Sequence, residues 1–107
     1  MLDDAVDDAA WQAMLADFRA HFWASRVPLF LQTWETSRTR EAAVWGEELK
    51  RSLHGLAGVA GMVGYDDIGR RARDIERLWE QFGESDLRVR NQLVDLASDL
   101  QRLDPGA

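Results

Sequence analysis

The chain of 107 residues contains no cysteine, only two prolines, two histidines and a single tyrosine. Without cysteine there is no disulfide, no thiolate metal site and no cysteine nucleophile, which fits a reducing compartment. With two histidines and no HExxH pattern, a zinc site has little support. Positive charge is short as well: the formal net charge is -6. That deficit argues against nucleic acid as the main partner, because phosphate backbones attract basic surfaces. The N-terminus, MLDDAVDDAA, is acidic where an export signal would be basic. The longest nearly uncharged apolar run, Leu53 to Tyr65, is too short to span a bilayer. The expectation is one cytoplasmic, monomeric domain over residues 1–107, with no membrane segment.

What the sequence has in quantity is apolar residues at helical spacing. Hydrophobic residues make up 46% of the chain, with five tryptophans and four phenylalanines. β-branched residues never alternate with polar ones over a strand's length, so the periodicity reads as helix nearly throughout. A first segment, about Val6 to Ala24, carries Trp11, Met14, Leu15, Phe18 and Phe22 on its apolar side. Ser25 and Pro28 mark a kink or a fresh start, since proline suits a helix's first turn. A second segment, about Arg26 to Ser37, uses Leu29, Phe30, Thr33 and Trp34, and Thr39 is a plausible N-cap for the next. The third, about Arg40 to Val63, sets Trp45, Leu49, Leu53, Leu56, Ala60 and Val63 on one stripe and ends at Gly64. The fourth, about Asp66 to Phe82, uses Ile68, Ala72, Ile75, Trp79 and Phe82. Gly83 stops it, and Ser85 caps a fifth with Val89, Leu93, Leu96, Leu100 and Leu103. The expected fold is all-α: an antiparallel four-helix bundle with an additional N-terminal helical segment.

One stretch departs from good helix chemistry. LHGLAGVAGMVGY, residues 53 to 65, has glycine at every third position from Gly55 to Gly64. An interior glycine costs a helix about 1 kcal/mol relative to alanine. At about 100° per residue, the core stripe centres roughly 140° from His54, which turns the imidazole to water. Its neighbours on that face are Glu47, Lys50, Arg51, Ala57, Gly58 and Gly61. Gly55 and Gly64 lean toward the core, whereas Gly58 and Gly61 have no evident packing role. Open space beside the ring and positive charge one turn before it would suit an arriving anion. GxxGxxG is neither a dinucleotide fingerprint nor a P-loop, and no strand precedes it. His21, without a convergent cluster, reads as a structural or surface residue, and the tryptophans read mostly as core.

At these residues the sequence resembles the histidine-containing phosphotransfer, or HPt, domains. That family's motif has leucine two residues after the histidine, commonly lysine at three and glycine at four. It continues with a small residue at six, glycine at ten and a carboxylate or glutamine at twenty-two. Here His54, Leu56, Ala57, Gly58, Ala60, Gly64 and Glu76 occupy those places, within a match from about Lys50 to Arg77. The resemblance implies a phosphorelay intermediate rather than a self-sufficient enzyme. His54 would accept a phosphoryl group and exchange it with aspartates of response-regulator receiver domains or a histidine or hybrid kinase. The domain would need no cofactor of its own, Mg²⁺ coming with the receiver. Glu76 would hold the second ring nitrogen.

Ala57 departs from the pattern, because the common lysine there is thought to help hold the phosphoryl group. Lys50, Arg51 and Arg73 are candidates to replace its charge. From Lys50 to Arg77 six basic residues (Lys50, Arg51, Arg70, Arg71, Arg73, Arg77) face four acidic ones (Asp66, Asp67, Asp74, Glu76), so the hairpin is locally positive. Ala57 also favours the alternative reading, a phosphate-independent adaptor that docks receivers or partner helices.

Overall fold

The computed structural model describes residues 2–38 and 42–105, with side chains placed for 8–38 and 46–105. Five α-helices account for nearly all of it: α1 (Leu2–His21), α2 (Val27–Arg38), α3 (Ala42–Met62), α4 (Asp66–Phe82) and α5 (Leu87–Leu103). The described residues contain no strand. Helices α2 to α5 form the bundle, each packed on the next and α5 closing back on α2. The all-α bundle expected from periodicity is the observed fold.

Helix α1 does not break before α2. A π-helical turn, Phe22–Arg26, joins them, with the Val27 N–H bonded to the Phe22 carbonyl five residues back. Residues 2–38 thus form one rod of roughly 55 Å at 1.5 Å per residue, which accounts for the molecule's 57 Å long axis. The wide turn accommodates Pro28, whose missing N–H cannot close the ordinary helical bond at that point. It also resets the buried face. The buried residues run Phe22, Val27, Phe30, Trp34, and the extra residue in the first interval turns Arg26 outward where an unbroken α-helix would bury it.

The stripes of α3, α4 and α5 are buried as periodicity predicts: Leu49, Leu53, Leu56, Ala60 and Val63; Ile68, Ala72, Ile75 and Trp79; Val89, Leu93, Leu96 and Leu100. Phe82 and Leu103 are instead exposed, because the last residue of each stripe runs past the helices that would cover it. Trp11, Met14 and Phe18 are 50%, 43% and 49% exposed, against the expectation of a core-facing stripe on α1. That helix overhangs the bundle, so among the described residues only Leu15 of Trp11, Met14, Leu15 and Phe18 packs against the core. The side chain of Trp45 and the predicted cap Thr39 lie outside the described residues.

Short-range chemistry fixes the helix ends. Gly64 adopts φ +88°, and the Tyr65 N–H bonds the Ala60 carbonyl at 2.9 Å, a Schellman-type end to α3. Arg19 clamps this corner, its Nε donating to the Val63 carbonyl at 2.8 Å. Trp23 Nε1 donates to the Tyr65 hydroxyl at 3.1 Å, so the α3–α4 turn is fastened to the long rod. The cap of α5 is Asp86 rather than Ser85: its carboxylate accepts the Arg88 backbone N–H at 2.8 Å and pairs with the Arg88 guanidinium. Those bonds hold the Asp86 carboxyl below its ordinary pKa.

Gly64→Ala should destabilise the domain by about 1–2 kcal/mol, the cost of a left-handed conformation for a residue with a Cβ. The added methyl would also stand 3.0 Å from the Arg19 guanidinium. Urea denaturation followed by circular dichroism measures this, and an unchanged midpoint would mean the turn relaxes without cost.

Candidate functional site

The site arises on the seam between α3 and α4. Small residues on both helices allow the approach: Ala57, Ala60 and Gly61 on α3 face Gly69 and Ala72 on α4. A Cβ placed on Gly69 would lie 3.4 Å from the Ala57 carbonyl oxygen and from the Gly61 backbone nitrogen. Gly61 therefore does have a packing role, contrary to its reading as a purely solvent-facing residue. Ala57 is likewise not on an open face. It is 2% exposed, tucked beneath α4, because it lies on the edge of α3 that α4 covers.

At this seam His54 projects from α3 and Glu76 from α4. The His54 Nδ1 stands 2.9 Å from a Glu76 carboxylate oxygen. The imidazole side chain is 79% exposed and the carboxylate 18% exposed, so a half-sheltered acceptor holds a ring that otherwise faces water. A carboxylate can only accept, so it selects the tautomer with the proton on Nδ1 and leaves the Nε2 lone pair free. One turn further along α3, a Cβ on Gly58 would meet nothing within 4 Å. The space beside the ring is open.

A shallow groove surrounds the pair, lined by His54, Ala57, Gly58, Arg73, Glu76, Arg77 and Glu80. Of the cations expected from sequence, Arg73 belongs here. It reaches across α3 so that a Cβ on Gly61 would be 3.1 Å from its guanidinium. Lys50 stands at the groove's edge, 3.9 Å from Glu80. Arg51 does not join them: it lines a different groove, between α2 and α3, with Arg26, Thr33 and Ser52. Sequence reasoning missed Arg77 and Glu80. The signal was present, since residues 73, 76, 77 and 80 share one face of a helix at spacings of three and four. Arg77 is also bound to Asp74 at 2.7 Å. His21 is exposed on the rod, far along the chain from this groove.

Among the described residues no helix is long and apolar enough to cross a membrane. No curated protein and no solved structure gives a significant match to this sequence. A model of the Hpt domain family matches residues 27–106, which takes in α2 through α5 and every residue of the groove. With most of the chain matched, and with a histidine and a carboxylate joined across a helical hairpin, this chain belongs to the Hpt domain family, the histidine phosphotransfer modules of phosphorelays.

Proposed function

We propose that His54 is the phosphoryl-carrying residue and that the domain exchanges this group with aspartates of receiver domains. The observation that carries the reading is the 2.9 Å contact between His54 Nδ1 and Glu76, with the opposite side of the ring open to solvent. In the forward step Nε2 attacks the phosphorus of a receiver's aspartyl phosphate. A P–N bond forms, the acyl P–O bond breaks, and the aspartate leaves as a carboxylate. The proton on Nδ1 stays in place, and Glu76 stabilises the positive charge that develops on the ring. Mg²⁺ held by the receiver would neutralise charge on the transferring group. Transfer to a second receiver is the same step reversed.

The missing lysine at Ala57 is offset by the groove's own cations. Arg73 and Arg77 line it, and Lys50 stands at its rim. All three sit where a phosphoryl group on Nε2 would gain from positive charge. Arg51, on the other side of α3, has no such part.

Incubation with a radiolabelled, phosphorylated receiver tests the assignment. Label should appear on the wild-type domain, be acid-labile and base-stable as a phosphoramidate is, and vanish in His54→Gln with the helical content unchanged. Label surviving in that variant, or mapping to His21, rejects the assignment. In that case a receiver that still binds the unlabelled domain would identify a phosphate-independent adaptor.

Glu76→Ala should slow transfer tenfold to a hundredfold without unfolding the domain. A hydrogen bond to a charged group is worth roughly 1.5–3 kcal/mol, and the loss falls on the charged transition state. Glu76→Gln should be milder, because its amide oxygen can still accept from Nδ1. Stopped transfer kinetics on the three proteins decide it, and equal rates would remove Glu76 from the chemistry.

Gly58→Leu should separate access from stability. Leucine raises helix propensity by several tenths of a kcal/mol up to about 1, so the melting temperature should hold or rise while transfer is lost. Transfer near the wild-type rate would show that a partner does not approach along this face.

A further inference from the structure

The rod that begins the chain is longer than the bundle needs. The family match starts at Val27, so α1 and the π turn lie outside it. Among the described elements, the backbone of α1 runs close only to that π turn. Arg19 is the residue that clamps the end of the bundle. The preceding residues of α1 therefore extend about 25 Å beyond it at 1.5 Å per residue. On this overhang Trp11, Met14, Leu15 and Phe18 share one face at spacings of three and four. Leu15 is partly buried against the edge of the core, and the other three remain about half exposed. Three large apolar side chains clustered on a solvated helix call for a cover.

We propose that a second copy of this chain covers them, the two α1 helices pairing antiparallel. Charge favours that occupant and that direction. The first eight residues carry four aspartates and no basic side chain, whereas Arg19, His21 and Arg26 follow the apolar cluster. Antiparallel pairing centred between Met14 and Leu15 sets Trp11 level with the partner's Phe18 and Asp8 level with the partner's His21. The acidic start of each helix then lies along the end of the other that carries exposed His21, where Arg19 and Arg26, which reach toward α3, add positive charge. Parallel pairing would set aspartates against aspartates. The cluster is nearly symmetric about its own centre, with an aromatic at each end, so an antiparallel mate presents the same face in return.

The contact is small. A fully buried aromatic removes about 150–250 Å² from water, and half of that from each exposed ring falls short of the roughly 800 Å² per partner of a standard interface. The dimer is accordingly reversible and concentration-dependent. No residue of the His54 groove belongs to it, so assembly and phosphotransfer are separable.

Sedimentation velocity on the intact chain over a concentration series tests the proposal. Wild type should move from one to two copies per particle as concentration rises, while Phe18→Glu should stay monomeric with unchanged helical content and melting temperature. The absence of native cysteine allows the direction to be read. Upon oxidation, a mixture of Ala10→Cys and Asp17→Cys chains should form a mixed disulfide, and Ala10→Cys alone should not cross-link. Wild type that remains monomeric at every concentration overturns the proposal and leaves the face to a different protein. A Phe18→Glu chain that still dimerises overturns it by placing the contact elsewhere. Self-cross-linking of Ala10→Cys overturns the antiparallel arrangement.

Discussion

The contact between His54 Nδ1 and Glu76 depends on how closely two helices can run. An imidazole from α3 and a carboxylate from α4 come within 2.9 Å only because the backbones approach over alanine and glycine. A larger side chain at Gly69, whose Cβ position is already in contact with the Ala57 carbonyl, would push α4 outward. Displacement of an ångström is enough to turn a hydrogen bond into a weak electrostatic contact. The corner built from Gly64, Tyr65, Arg19 and Trp23 serves the same end. By fixing the α3–α4 turn to the long rod, it holds the end of α3 and the start of α4 in place.

Much of this was legible in the sequence. The stripes of α3, α4 and α5 follow a 3.6-residue period, and burial confirmed them almost residue for residue. The same geometry turns His54 to solvent, and the family resemblance is what points to Glu76 as its partner. What periodicity does not reveal is which neighbour covers a given flank. Ala57 and Arg51 stand three residues to either side of His54 and flank it on opposite sides of α3. One is sealed beneath α4 and the other opens toward α2, and only the order of packing around the bundle distinguishes them. The π turn was hidden for a related reason: one inserted residue changes the face of a helix without changing its composition. On α1 the helical period holds but Trp11, Met14 and Phe18 stay exposed, because amphipathicity says that a face needs cover and not that the same chain provides it.

The departure at Ala57 looks different once its surroundings are known. A lysine at that point would emerge from the packed seam and have to bend outward along its aliphatic stem. In this chain α4 carries the positive charge instead, with Arg73 and Arg77 on the side that lines the groove. Guanidinium groups differ from an ammonium in kind: they remain charged at any relevant pH and offer planar, forked donors to phosphate oxygens. Placing them on α4 also couples them to Glu76, three residues from one and next to the other. On the proposed function, the orienting carboxylate and the cations that would hold the phosphoryl group therefore sit on one rigid helix.

Each glycine around His54 answers a separate physical demand. Gly64 supplies the left-handed turn that ends α3. Gly61 lets the Arg73 side chain cross the helix, and its backbone meets the position facing Gly69. At Gly55 a Cβ would come within 2.9 Å of the Arg26 guanidinium arriving from the rod. Gly58 alone has nothing near it, so packing gives no reason to keep it small. An interior glycine costs about 1 kcal/mol relative to alanine, and at Gly58 no contact among the described residues offsets that. On the proposed function, the constraint there comes from a receiver that approaches the imidazole closely enough for a side chain to obstruct it.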